Sequence, residues 1–488
     1  MRRSILSQGR LDCSAVASVK LNMDCRDEII PILRGLQHIY SQPALRDEIL
    51  QLVTSDVNRN ARTDRGRMGL GHWQILVLAA VRLGCNLDYD KLQDLAEQHR
   101  TLRQIMGVGD WEEETTFSWR RIRDNVCLIQ PGTIEKIYQL VASAGHDIEP
   151  TAIEKVRADS FVIETNIHHP TESSLIVDGV RKVLEFATRL SEKFGLAGWR
   201  QHAHLLKEIK KCNRLIGRHA RGKSKQHKDA VKQSYQDLLR RARAVLDRAV
   251  NLSETLKNEC TMDAASFAEV GELDRFLALT RKVCSTTYRR VVLDENVPNA
   301  EKLFSIFEEH TQLYQRGKTN AAIQFGRLAL VCEDQLGFIV HHHLLPRDAC
   351  DSQVIVEQIE LLQNRVGHNV KELSLDAGFH SIENQERLKE LVPSTCLPAK
   401  SPKQAAEQMK NANVEFRQAR KRHPGVESAI GAMQAGNGLK RSRDRSLIGF
   451  ERYLALGLLG RNIHTLGKLL IRKEHPDCEA AHSRRHAA

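Results

Sequence analysis

The chain has 488 residues, a net charge of +12 and a sequence pI near 9.2. That length suits two to four domains of about 150 residues each, and an apolar share of 41%, spread along the chain, excludes pervasive disorder. The longest apolar stretches, such as Ile75–Val81 and Leu454–Leu459, fall well short of the roughly 18 residues of a membrane span. The start is basic without an apolar signal core, so no membrane association and a cytoplasmic location are expected. Eleven scattered cysteines with no Cys-x-x-Cys argue against a disulfide framework or a zinc ribbon. The basic balance points to a polyanionic partner, of which nucleic acid is the commonest.

Residues 1–148 read as a helical domain. Trp73–Leu83 is an apolar helix, and Asp90–Gln98 places Leu92, Leu95 and Ala96 at helical spacing. Thr116 is expected to cap a helix over Phe117–Ile129 that carries Arg120, Arg121 and Arg123. These arginines suit a DNA-reading helix-turn-helix, although the Gly107–Glu114 connection is longer than its usual turn. A plain helical bundle with a basic face fits equally well.

Residues 149–190 begin an α/β region. Val156–Thr165 is rich in strand formers. The positive charge then concentrates: residues 181–250 hold 19 Lys and Arg against 6 Asp and Glu, a surplus of 13 that accounts for the whole excess of 12 and leaves the rest of the chain close to neutral. No proline occurs between Pro170 and Pro298, and Val231, Tyr235, Leu238, Ala242, Val245, Ala249, Leu252 and Leu256 alternate steps of four and three. That is a coiled-coil seam. Leu205, Ile209, Cys212 and Ile216 form a second seam upstream. Residues 191–324 therefore read as a helical insertion containing a hairpin. Its tip carries Arg218, Arg221, Lys223 and Lys225, which suit phosphate. A solvated spacer whose charges only maintain solubility is the alternative.

Residues 325–472 return to α/β pattern. Leu328–His343 is expected to be a hairpin turned near Asp334–Gly337, followed by a helix at Ser352–Asn364, a strand at Val370–Leu375 and a helix over Ser381–Leu391. Helix dominates from Phe416 to Leu470, and residues 473–488 form a polar tail. The simplest architecture is one α/β core interrupted by the helical insertion.

Three carboxylates stand out by context. Asp159 lies in the strand Arg-Ala-Asp-Ser-Phe-Val-Ile, Asp376 ends the strand Glu-Leu-Ser-Leu, and Glu427 lies on a helix beside the apolar positions Val426, Ile430 and Met433. Burial of such groups would be costly unless cations shared them. With 61 acidic residues in the chain, the pattern alone does not single these three out.

The surrounding segments do. Residues 157–180, with the core Thr-Asn-Ile-His-His-Pro-Thr, closely resemble the first catalytic segment of DDE-type insertion-sequence transposases, and the N-terminal region looks like that of their ISNCY group. Residues 373–384 resemble the second such segment, and residues 423–450 the third. The resemblance implies a ribonuclease-H-like catalytic core. It further implies that Asp159, Asp376 and Glu427 are catalytic and hold two Mg²⁺ ions, with Mn²⁺ able to substitute, the two aspartates on neighbouring strands and the glutamate on a helix alongside. The partner would be double-stranded DNA, both terminal inverted repeats and target, handled by a homodimer or larger assembly. The chain departs from the pattern in two respects. Its extra length precedes the second aspartate, 217 positions after the first (376 minus 159). The basic residue that many relatives carry a turn or two after the glutamate is not evident, since Gln434 lies one heptad on.

Other residues carry two readings each. His168 and His169 follow the first strand and suit either phosphate contact beside the site or stabilisation of a turn. His423 precedes Glu427 by one helical turn and is a candidate neighbour of the site. Arg441 and Arg443 suit phosphate contact or plain solvation. His341, His342 and His343 lie on a strand and alternate faces, so they cannot converge on one metal. Two rivals share much of this description: a metal-dependent nuclease of the same fold that cuts without joining, and an inactive or domesticated copy that only binds DNA.

Overall fold

A computed structural model describes residues 12–23, 25, 27–59, 69–111, 116–315 and 323–475. The chain is mixed α/β, mostly helical, with a mixed sheet. It divides into two compact units. One holds residues up to Asn166 together with those from Arg327 onward, and the other is Ile167–Gly326.

The first unit begins with helices α1 (Ile29–Ser41), α2 (Pro43–Val57), α3 (His72–Gly84), α4 (Tyr89–Gln98), α5 (Arg100–Ile105), α6 (Trp119–Val126) and α7 (Pro131–Ile148), then strand β1 (Lys155–Glu164). The expected cap at Thr116 is replaced by Ser118, whose hydroxyl accepts from the Arg121 amide at 3.2 Å. The helix starts later because Phe117 turns into the core and Glu97 of α4 accepts its amide at 2.9 Å. Helix α5 and a connection through residues 106–118 separate α4 from α6, so these helices do not form a tight helix-turn-helix.

The second unit contains α8 (Glu172–Phe194), α9 (His202–His219), α10 (Lys225–Glu259), α11 (Ala264–Thr287) and strand β2 (Gln312–Gln315). The seam residues Tyr235, Leu238, Ala242, Val245, Ala249, Leu252 and Leu256 are buried, as are Ile209, Cys212 and Ile216. Their partners differ from those of a two-stranded coil. Helix α10 packs against α8 and α11 as well as α9, and all four helices share one apolar core. The heptad therefore marks one face of a bundle. Helix α8 belongs to this bundle.

Strand β3 (Ile323–Glu333) pairs its first four residues with β2, antiparallel, inside the second unit, and continues into the first. There follow β4 (Ile339–Leu344), α12 (Asp351–Arg365), β5 (Glu372–Ser374), α13 (Ile382–Leu391), β6 (Ser394–Cys396), α14 (Pro402–Asn411), α15 (Val414–Arg422), α16 (Pro424–Gly436) and α17 (Leu447–Glu474). In the sheet, β4 pairs antiparallel with β3, β3 neighbours β1, and β1, β5 and β6 run parallel. Strand β5 is shorter than expected because only three residues make the ladder.

Helix α17 is apolar on nearly every face and is enclosed by α1, α3 and α7. The C-terminal helix thus forms the centre of the N-terminal bundle. Glycines permit the close crossings: a Cβ at Gly467 would collide with the Pro31 carbonyl, and one at Gly460 would lie 2.5 Å from the Gly84 amide nitrogen.

Candidate active site

The parallel ladder between β1 and β5 pairs Lys155 with Glu372, Val156 with Leu373 and Arg157 with Ser374. Extended two positions past the last ladder pair, the same offset of 217 would carry Asp159 opposite Asp376. Neighbouring strands lie about 5 Å apart, so that extension would bring the two aspartates near one another. Asp376 follows the carboxyl end of β5, where open α/β sheets place their ligand sites, while Asp159 is the fifth of the ten residues of β1.

Alternation along a strand puts Arg157 and Asp159 on one face, and Ser374 and Asp376 likewise. The junction between α15 and α16 covers that face. Ser374 Oγ lies 3.0 Å from His423 Nδ1, and Arg157 Nη1 donates to the Arg422 carbonyl at 3.2 Å. The aspartates extend beyond this cover. Glu427 lies in the first turn of α16, which packs on β1. All three carboxylates thus belong to one edge of one unit.

The expectation that these carboxylates are buried is corrected. Asp159 is half-buried, Glu427 is exposed, and the Asp376 side chain is 54% exposed. The strand ends open to solvent, so burial cost demands no cation here. Arg420 Nη1 lies 3.9 Å from Asp376 Oδ1. His423 is buried, and burial holds its imidazole below the ordinary value, with Arg420 and Arg157 acting the same way and Asp376 and Glu427 opposing. It is therefore neutral at neutral pH.

The donors are all carboxylate oxygens, the type hard divalent cations select. Among the described residues, no group of three or more His, Cys, Asp or Glu side chains is close enough to hold a metal ion. The register of β1 and β5 carries Asp159 and Asp376 towards one another. Glu427 would complete the set from its exposed position on α16.

The other singled-out residues are distributed as follows. Arg441 lies at the far end of β1, where residues 440–442 run parallel to Glu164. Its guanidinium meets the Glu164 carboxylate at 2.8 Å and remains 55% exposed. Arg443 turns inward to Asn86 Oδ1 at 2.7 Å and Tyr453 Oη at 3.0 Å, a structural role. Arg120, Arg121 and Arg123 are exposed on α6, with Arg120 and Arg123 both over the Trp119 ring. Arg123 also pairs with Asp124.

In the second unit, Arg218, Arg221, Lys223 and Lys225 are exposed around the turn from α9 to α10, and none has an ion-pair partner among the described residues. His168 and His169 also belong to this unit. His168 Nε2 lies 3.2 Å from Asp178 Oδ2, and His169 stands edge-on to Phe325. Both contacts suit the turn-stabilising role.

On β4, His341 reaches Gln358 of α12 at 2.9 Å, and His342 reaches Tyr138 of α7 at 2.7 Å. The sequence reading overlooked Arg157 and Gly425, which lock the α15–α16 junction. The available signal was the two-residue spacing of Arg157 from Asp159. In comparisons with known proteins, no family model, no curated protein and no solved structure matches this chain.

Proposed function

We propose that this chain is a DDE-type insertion-sequence transposase, which binds the terminal inverted repeats of its element, cuts at the ends and joins the freed 3′-hydroxyls to target DNA. The observation that carries the reading is the parallel register of β1 and β5, whose offset carries Asp159 towards Asp376, with Glu427 on a helix packed against β1. The sheet supports a ribonuclease-H-like core, with a hairpin on one side of β1 and two parallel strands on the other.

Asp159 and Asp376 present oxygen acceptors near one another, and Glu427 adds a third by swinging in from α16. Two Mg²⁺ ions bound there would activate the attacking water or 3′-hydroxyl and stabilise the leaving oxygen. His423, neutral and engaged with Ser374, shapes the floor of the site. Arg441 and the hairpin tip supply cations for phosphate. Synapsis of two ends calls for at least a dimer. No described helix is long and apolar enough to cross a membrane.

The test is cleavage of end DNA, taken from the flanks of the gene, with Mg²⁺ or Mn²⁺. Wild type should cut at the repeat boundary, and Asp376→Ala should bind the ends without cutting. Normal cutting by the variant would remove the catalytic assignment. Tight binding by wild type without any cutting would favour a copy that only occupies the repeats. Cutting without strand transfer, when pre-cut ends are supplied, would favour a nuclease.

A further inference from the structure

Strand β3 contributes Glu333, whose carboxyl side chain is 1% exposed. Burial raises its pKa, and the neighbouring guanidiniums of Arg157 and Arg461 oppose that rise. A carboxylate so enclosed needs a fixed cation. Arg157 Nε lies 2.7 Å from Glu333 Oε2, so one side of the guanidinium is anchored. The other side donates to the Arg422 carbonyl, at the last residue of α15. Terminal helix carbonyls lack partners within the helix and carry partial negative charge, so a guanidinium suits them.

Helix α16 begins two residues later and rests directly on this group. A Cβ at Gly425 would collide with Arg157 Nη1. Two further ties come from β5: Arg422 pairs with Glu372, and Ser374 meets His423. Of the groups tying the junction, only Arg157 shares a strand and a face with Asp159. Glu427 follows Gly425 by two residues in the same first turn.

We infer that Arg157 is a positioning residue: braced by Glu333, it sets the Arg422–Gly425 junction on the sheet and so the reach of Glu427 towards Asp159 and Asp376. This rests on the transposase reading. A lysine keeps the charge beside Glu333 but cannot fork between a carboxylate and a carbonyl. An alanine at Gly425 keeps the Arg157 side chain but drives its Cβ into the guanidinium, so that either the fork or the helix start must shift. Both changes act through the placement of Glu427.

The experiment uses the full chain as wild type, Arg157→Lys and Gly425→Ala. Mn²⁺ binding is measured by loss of the free-ion paramagnetic signal, alongside end-DNA binding, thermal unfolding and the Mn²⁺ dependence of cutting. Groups that orient metal ligands are typically worth about tenfold to a hundredfold in metal affinity. Both variants should unfold cooperatively and bind end DNA like wild type, while Mn²⁺ affinity and the half-saturating Mn²⁺ for cutting shift together by about tenfold or more. Excess Mn²⁺ should restore much of the cutting. A folded Arg157→Lys with wild-type Mn²⁺ affinity and half-saturation would overturn the inference alone. Wild type that neither binds Mn²⁺ nor cuts would overturn the transposase reading, and this inference with it.

Discussion

Arg157 and Ser374 pair across neighbouring parallel strands, and the same offset carries Asp159 towards Asp376 two positions on. Two carboxylates separated by 217 positions in the chain are thus brought towards one another through one register. A slip of one residue would turn one of them to the other face of the sheet.

This shared register implies joint action. Asp159→Asn and Asp376→Asn should each abolish cutting, and the double variant should be no worse than either single one, because groups that act as a unit are not additive. Single-turnover cleavage with Mn²⁺ would measure it. Two singles with partial, multiplying losses would show that the residues act separately. At the solvent-open Asp376, the change in stability should stay within about 0.5 kcal/mol.

The hairpin tip can be tested through salt. Neutralising Arg218, Arg221, Lys223 and Lys225 together should weaken DNA binding and flatten its dependence on salt. If all four meet phosphates of duplex DNA, the log–log slope should fall by about 3.6. An unchanged slope would leave these side chains with a solubility role.

A buried ion pair holds the segment that carries Arg441. Arg82 is 1% exposed and grips Asp444 through two hydrogen bonds, at 2.9 and 2.5 Å, with the Tyr89 ring 3.9 Å from its guanidinium carbon. Arg82→Met strands the Asp444 carboxylate and should cost about 3–5 kcal/mol in denaturant unfolding. Replacing both partners with apolar residues should recover most of that loss. A single variant as stable as wild type would show that the pair contributes little.

Burial pushes His342 down to about 4, with His343 and Arg365 acting in the same direction. Because its folded value lies below the unfolded one, near 6.5, protonation favours the unfolded chain. Its contribution to stability is complete above pH 6.5 and declines as pH falls towards 4. Between pH 7 and pH 5 that loss amounts to about 2 kcal/mol. Urea unfolding should therefore show wild type losing about 2 kcal/mol more than His342→Gln over this interval. Equal losses would mean that His342 does not carry the effect.

Much of the local structure was legible in the residues themselves. The apolar helix at α3, the strand at β1, the hairpin of β3 and β4 and the helix capped by Ser381 follow from short-range periodicity and turn chemistry, which act over a few residues. The basic tip between α9 and α10 followed from charge counting and the two seams. The seam on α10 could not name its partners, because a heptad face is the same against one helix or three.

Tertiary structure alone decided three matters. It fixed the offset that pairs Arg157 with Ser374 and carries Asp159 towards Asp376, since register is a relation between strands and not a property of either one. It left the carboxylates at an open edge, since burial depends on what covers a position: the α15–α16 junction covers Arg157 and Ser374, two positions before the aspartates. It also made α17 the centre of the N-terminal bundle, since an all-round apolar helix specifies that it must be enclosed but not by which part of the chain.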